Sequence, residues 1–212
     1  EQYRYAASLG LDQNHHNLPA NWNARYTVSL QNDWRSANGR LDLGASLYWA
    51  QSASETGTEL PSMQPYERLT DEYGMPQSIV RDFNTRYVSQ LPEMGFLDGA
   101  YVPLREIGLS SDRSHQVDSR FNLFLAYRLA PWLKVTARYQ YWTNSAESRF
   151  HQPVESYATR KLINSYTQTS PEGALSYPVP MGGILDQGNS TSSGQYLRGQ
   201  LNIDHTWKEV HE

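Results

Sequence analysis

Six stretches of the chain alternate apolar and polar residues with a period of two. That spacing sends successive side chains to opposite faces of a β-strand. Tyr3, Tyr5, Ala7, Leu9 and Leu11 mark the first, about 3–12, and Tyr26, Val28, Leu30 and Trp34 the second, about 24–35. Leu41, Leu43, Ala45, Leu47 and Trp49 mark the third, about 40–50. Val117, Phe121, Leu123, Leu125, Tyr127 and Leu129 mark the fourth, about 116–130. Leu133, Val135, Ala137, Tyr139 and Tyr141 mark the fifth, about 132–144, and Leu197, Leu201, Ile203 and Trp207 the sixth, about 195–208. Most positions between them are Arg, Asp, Ser, Thr, Asn, Gln or Gly. The pattern predicts an all-β chain. A sandwich of two sheets alternates in the same way, so alternation alone leaves the architecture open.

The connections narrow it. Strands two and three meet across Ser36-Ala37-Asn38-Gly39, with Asn-Gly as a tight-turn signal, and strands four and five meet through Ala130-Pro131. The other three connections are longer, at about 13–23, 52–115 and 145–194. Short and long connections alternate, as the short periplasmic turns and long extracellular loops of an outer-membrane barrel do. The alternating stretches are close to the 9–11 residues that cross a bilayer at a tilt. Trp34, Trp132 and Trp207 fall toward one end of the strands, and Trp22, Trp49 and Trp142 toward the other. Two aromatic girdles are predicted from this, with Trp22, Trp34, Trp49, Trp142 and Trp207 as membrane-girdle candidates. Trp132 and Trp142 depart from the apolar parity of their strands. The expected fold is therefore an antiparallel up-and-down meander of a transmembrane β-barrel. Six strands are too few to close around a useful lumen, so a partial barrel is expected.

Composition fits this picture. Hydrophobic residues make up 38% and charged residues 19%, the formal net charge is −4, and there is no Cys. No run approaches 18 apolar residues, which excludes transmembrane helices but not a barrel. No basic patch suited to nucleic acid is present. Without Cys there is no disulfide framework, thiolate metal site or thiol nucleophile. The chain opens at Glu1 with no signal peptide, so a processed chain or a piece of a longer one is expected.

The two long loops are not filler. Pro61, Pro65, Pro76, Pro92 and Pro103 punctuate the first, among recurring aromatic and aliphatic residues. A loop of this length in a compact domain is unusual unless it folds. The second carries a short helical pattern around Tyr157, Ala158, Leu162 and Ile163, then turns extended at Tyr177-Pro178-Val179-Pro180. Tyr66, Tyr73, Tyr87, Tyr101, Tyr157 and Tyr177 are the candidates for substrate or partner contact, since flat rings form rigid recognition surfaces. The same rings also suit the small core of a folded loop. The six His lack metal-site spacing. The adjacent acids Asp71 and Glu72 cannot flank a glycosidic bond from opposite sides. No GxSxG elbow and no GK[ST] phosphate loop occurs. No catalytic residue, metal or cofactor is expected.

Several motifs resemble the SusC/RagA family of TonB-dependent outer-membrane transporters. They run in order over about 140 residues: Pro65-Tyr66-Glu67-Arg68-Leu69-Thr70-Asp71-Glu72-Tyr73-Gly74-Met75-Pro76; Phe96-Leu97-Asp98 with Pro103-Leu104-Arg105-Glu106-Ile107; Tyr157-Ala158-Thr159-Arg160-Lys161-Leu162-Ile163-Asn164; and Pro180-Met181-Gly182-Gly183-Ile184-Leu185-Asp186 with Leu197-Arg198-Gly199-Gln200-Leu201-Asn202. Gly99, Ala100 and Val102 depart from the family's pattern. The resemblance implies an internal segment of a barrel, without its plug, in a Bacteroidota-type outer membrane. It implies import of oligosaccharides or peptides, energised by the TonB complex through an N-terminal part outside this chain. A SusD-like surface lipoprotein is the implied partner at the 52–115 and 145–194 loops. The alternatives carried alongside are a soluble β-sandwich that binds carbohydrate and a glycan-active enzyme using Asp71.

Overall fold

The computed structural model describes residues 2–57 and 64–205. One six-stranded antiparallel sheet dominates, built from β1 (Gln2–His15), β2 (Trp22–Arg35), β3 (Leu41–Thr56), β4 (Ser111–Ala130), β5 (Leu133–Gln152) and β8 (Ile184–Ile203). These pair in chain order, β1-β2-β3-β4-β5-β8. The chain is all-β and meanders up and down. The sheet is open: among the described residues β1 and β8 each have one strand neighbour. Short helices α1 (Thr85–Gln90) and α2 (Pro103–Glu106) lie between β3 and β4. Helix α3 (Tyr157–Tyr166) and a two-stranded hairpin of β6 (Gln168–Thr169) and β7 (Leu175–Ser176) lie between β5 and β8.

The register sorts the two faces. Residues directly opposite one another share a face. Leu9 pairs with Val28 and Val28 with Trp49; Leu30 pairs with Leu47, Leu47 with Phe121 and Phe121 with Tyr141. Leu123 pairs with Tyr139 and Tyr139 with Leu197. Every strand thus turns its apolar parity to the same side. The other side carries rungs such as Arg4, Asp33, Gly44, Phe124, Arg138 and Arg198, in strand order. The apolar band spans about nine residues per strand, from Leu41 to Trp49 in β3 and from Leu133 to Tyr141 in β5. At roughly 3.3 Å per residue that is about 30 Å.

Among the described residues no layer covers the apolar face. Leu9 is 84% and Leu197 76% exposed on the outer strands, and even mid-sheet Leu47 and Leu123 are 39% and 42% exposed. Among the described residues the large buried hydrophobics are Leu91, Tyr157 and Ile163, all in the loops. The packed core therefore sits above the sheet's end, not against its face. Among the described residues no helix is long and apolar enough to cross a membrane, which says nothing of a barrel.

The strands run further than their alternation predicts. β4 starts at Ser111, β5 continues to Gln152 and β8 starts at Ile184. Each has 20 residues, about 66 Å of extended chain. Beyond the apolar band both faces are polar, as in Ser190-Thr191-Ser192-Ser193 opposite Ala146-Ser145-Asn144-Thr143, so the sequence shows no period there while the ladder continues. The lengthened β1 and β2 also shrink the first connection to residues 16–21, little longer than the turn at 36–40. Strict alternation of long and short connections thus gives way to two large loops, 57–110 and 153–183, which leave the sheet at the same end.

Candidate functional site

The two large loops fold onto each other. Segment 64–77 forms a small hairpin, closed by the Thr70–Pro76 bridge and by Gln77 N donating to the Leu69 carbonyl at 2.8 Å. Asp71 makes its turn: one carboxylate oxygen accepts from the Tyr73 and Met75 backbone N–H groups at 2.9 and 2.8 Å. Gly74 takes the left-handed conformation, φ 80°, that the turn requires. The acid weighed for catalysis is thus occupied as a turn former. Tyr66 and Tyr73 project from this hairpin, 82% and 83% exposed.

Segment 78–107 then meets α3. Ser156 caps that helix by accepting from the Thr159 N–H, and Ser156 and Thr159 are themselves buried. The Asn164 amide is clamped to both backbone groups of Leu97, donating to its carbonyl at 2.8 Å and accepting from its N–H at 2.9 Å. The Glu106 carboxylate accepts from the Tyr157 backbone N–H through both oxygens at 3.0 Å. Arg160 bonds the Ala100 carbonyl at 3.0 Å and pairs with Asp98 and Glu106 at 3.5 and 3.6 Å. The motif residues Asp98, Glu106, Tyr157, Arg160 and Asn164, far apart in sequence, form one inter-loop latch.

The departures at 99 and 100 fit this geometry. A Cβ at Gly99 would come within 2.6 Å of the Leu91 side chain, so the backbone there passes directly over a buried leucine. Ala100 contributes its carbonyl, which any residue supplies.

Beside the latch is a cleft of about 300 Å³ lined by Ile79, Arg81, Asp82, Val88, Tyr101 and Tyr157. The Arg81 guanidinium lies 4.5 Å over the Tyr101 ring, and Tyr101 meets Tyr157 edge to face at 5.0 Å. Asp82 accepts from the Tyr157 hydroxyl at 2.6 Å and from Lys161 at 2.7 Å. The Lys161 bond first, and then the tyrosine, hold the Asp82 carboxyl below its usual range. Burial, and next the bond to Asp82, push the Tyr157 hydroxyl up. Burial likewise raises Tyr101. Asp82 is already committed to two donors, so the cleft offers stacking and hydrogen bonding and lacks a nucleophile paired with a base.

The six tyrosine candidates therefore divide. Tyr157 is buried, Tyr101 lies against it, and the Tyr177 hydroxyl donates to the Gly95 carbonyl at 2.9 Å. These three build the platform. Tyr87 packs on Phe83 at 5.7 Å and stays about half exposed. Tyr66 and Tyr73 stand free on the hairpin. Sequence reasoning did not single out Asp82, Glu106, Arg160 and Asn164 individually. For Glu106, Arg160 and Asn164 the signal was membership in the ordered motifs; Asp82 lies outside those motifs and carried no signal of its own.

The tryptophans also divide. Trp34 and Trp49 lie on the apolar face, opposite Leu43 and Val28. Trp142 lies on the polar face, where a Cβ on Gly194 would come within 2.5 Å of its indole nitrogen, so glycine makes room for the ring. Trp49 and Trp142 stand within one rung of each other across β4. Trp22 stands opposite Glu55, six residues and about 20 Å further along the strand, and donates to that carboxylate at 3.3 Å. Trp22 does not share the level of Trp49 and Trp142. Trp132 lies in the β4–β5 turn, edge to face with His205. Trp207 falls outside the described residues. Glu55 also accepts from Ser111 at 2.8 Å and from Arg113 at 3.0 Å, tying β2, β3 and β4 together above the apolar band.

No protein-family model matches the chain, and no curated protein matches it.

Proposed function

We propose that this chain is a wall segment and loop platform of an outer-membrane nutrient importer of the TonB-dependent, SusC/RagA-like kind. One observation carries the reading. A six-stranded sheet turns the apolar parity of every strand to one uncovered face, about 30 Å long along the strands, and among the described residues the packed core lies in the loops at one end. In water such a face is far larger than the apolar patches soluble monomers tolerate. Against lipid it is the expected surface of a barrel wall, with the opposite polar face toward a lumen. The sandwich alternative needs a second sheet over that face, and the described residues supply only the small β6–β7 hairpin elsewhere.

In this reading the chain does no covalent chemistry. The loop platform receives an oligosaccharide or peptide, and a SusD-like lipoprotein docks on the exposed hairpin bearing Tyr66 and Tyr73. The TonB complex acts through a part of the transporter outside this chain. Size-exclusion chromatography with and without detergent tests the reading. Aggregation in plain buffer and a single dispersed species in detergent are expected. A sharp monomer in plain buffer with cooperative unfolding would overturn it.

A further inference from the structure

In the β1–β2–β3 half, the polar face of the sheet sets opposite charges against one another across strands. Arg4 stands opposite Asp33, Asp12 opposite Arg25 and Arg35 opposite Asp42, the last closing an ion pair. In the β4–β5–β8 half the pattern reverses. Arg138 stands directly opposite Arg198, and Arg128 opposite Lys134 on the same face. Like charges directly opposite one another are unfavourable in a sheet. Among the described residues neither Arg138 nor Arg198 forms an ion pair. Arg138 lies 5.4 Å over the Phe124 ring, and Arg198 donates to the Gln200 side chain at 3.1 Å. The polar-face carboxylates around the pair are engaged: Asp33, on the same rung but three strands away, accepts from Gln31; Asp42, one same-face step below, pairs with Arg35; and Asp118, three same-face steps above, accepts from Asn144 and Gln116. Asp204 stands at the strand's end, its N–H on the Trp132 carbonyl.

Aromatic rings flank the pair. Tyr196, about half exposed, is the next residue on the same face above Arg198. Trp142 is two same-face steps above Arg138, roughly 13 Å along the strand. That span is comparable to about three sugar units, and flat rings beside a charged pair suit a saccharide ring that bears a carboxylate.

We propose that Arg138 and Arg198 form an anion site for an acidic oligosaccharide, with each guanidinium taking carboxylate oxygens and Tyr196 and Trp142 meeting the adjoining sugar rings. This deepens the transport reading and rests on it for the claim that this face meets solute. The charge reversal is a local conflict that a bound carboxylate resolves, and such conflicts concentrate at functional positions.

The test is titration of the full 212-residue chain in neutral detergent with trigalacturonic acid, its methyl ester and tri-aspartate. Trigalacturonate is expected to bind, weakening steeply with added salt. Arg138→Gln and Arg198→Gln are each expected to weaken it by roughly tenfold, with circular dichroism unchanged. The methyl ester and tri-aspartate are expected to bind at least about tenfold more weakly on the same grounds. Unchanged affinity in both variants, or equal binding of the ester, would overturn the anion site. Equal binding of tri-aspartate would overturn the saccharide assignment. Detergent dependence of the wild-type chain is read separately, so failure of the anion site is distinguishable from failure of the membrane reading.

Discussion

Tyr157 shows how a residue read as a recognition group becomes a keystone. Its ring is buried against Tyr101, its backbone N–H is held by Glu106 and its hydroxyl by Asp82. Sequence alone offered contact or core for each of the six tyrosines, because a ring's chemistry is the same in either role. Burial decides between them, and burial depends on partners some 50–75 residues away. Tyr157→Phe removes a charge-assisted hydrogen bond from a partly exposed pair and is expected to cost the loop assembly about 1 kcal/mol. Tyr157→Ala also empties a ring-sized volume and is expected to cost about 3 kcal/mol or more. Hydrogen exchange of the α3 and 96–101 amides measures both. Equal protection in all three proteins would contradict the keystone role.

At the element scale, the latch between segment 78–107 and α3 depends on carboxylates. Asp82 is held below its ordinary range, so its contribution is complete above the unfolded carboxyl value, about pH 4. It is lost as pH falls through the lower folded value. Near-UV circular dichroism of the loop tyrosines is expected to fall on acidification below about pH 4. Asp82→Asn is expected to show a smaller acid step from a lower starting point. An equal step in the variant would contradict the assignment. The strands show what was legible at this scale. The alternation of Leu41 to Trp49 and Leu133 to Tyr141 located the band, since one face needs apolar residues and the other does not. The polar extensions, such as residues 184–194, carried no period because both faces meet water there. A ladder of backbone hydrogen bonds leaves no trace in side-chain pattern. The same blindness hid the shortness of the 16–21 connection.

At the scale of the whole molecule, one sheet with two unlike faces explains both the low share of hydrophobic residues and the absence, among the described residues, of a core beneath the strands. The parity was legible, because every strand repeats it. Which way the sheet closes was not, since β1 and β8 end the described ladder. The central claim is that the face of Leu30, Leu47 and Leu123 meets lipid while that of Ser29, Ser46 and Asn122 meets water. The chain has no cysteine, so single cysteines introduced at these six positions carry a spin label without background. Collision with dissolved oxygen and with a water-soluble nickel chelate is then measured by electron paramagnetic resonance in lipid bilayers. Labels at Leu30, Leu47 and Leu123 are expected to favour oxygen, and those at Ser29, Ser46 and Asn122 the chelate. Equal chelate access on both faces, or the reverse alternation, would contradict the account.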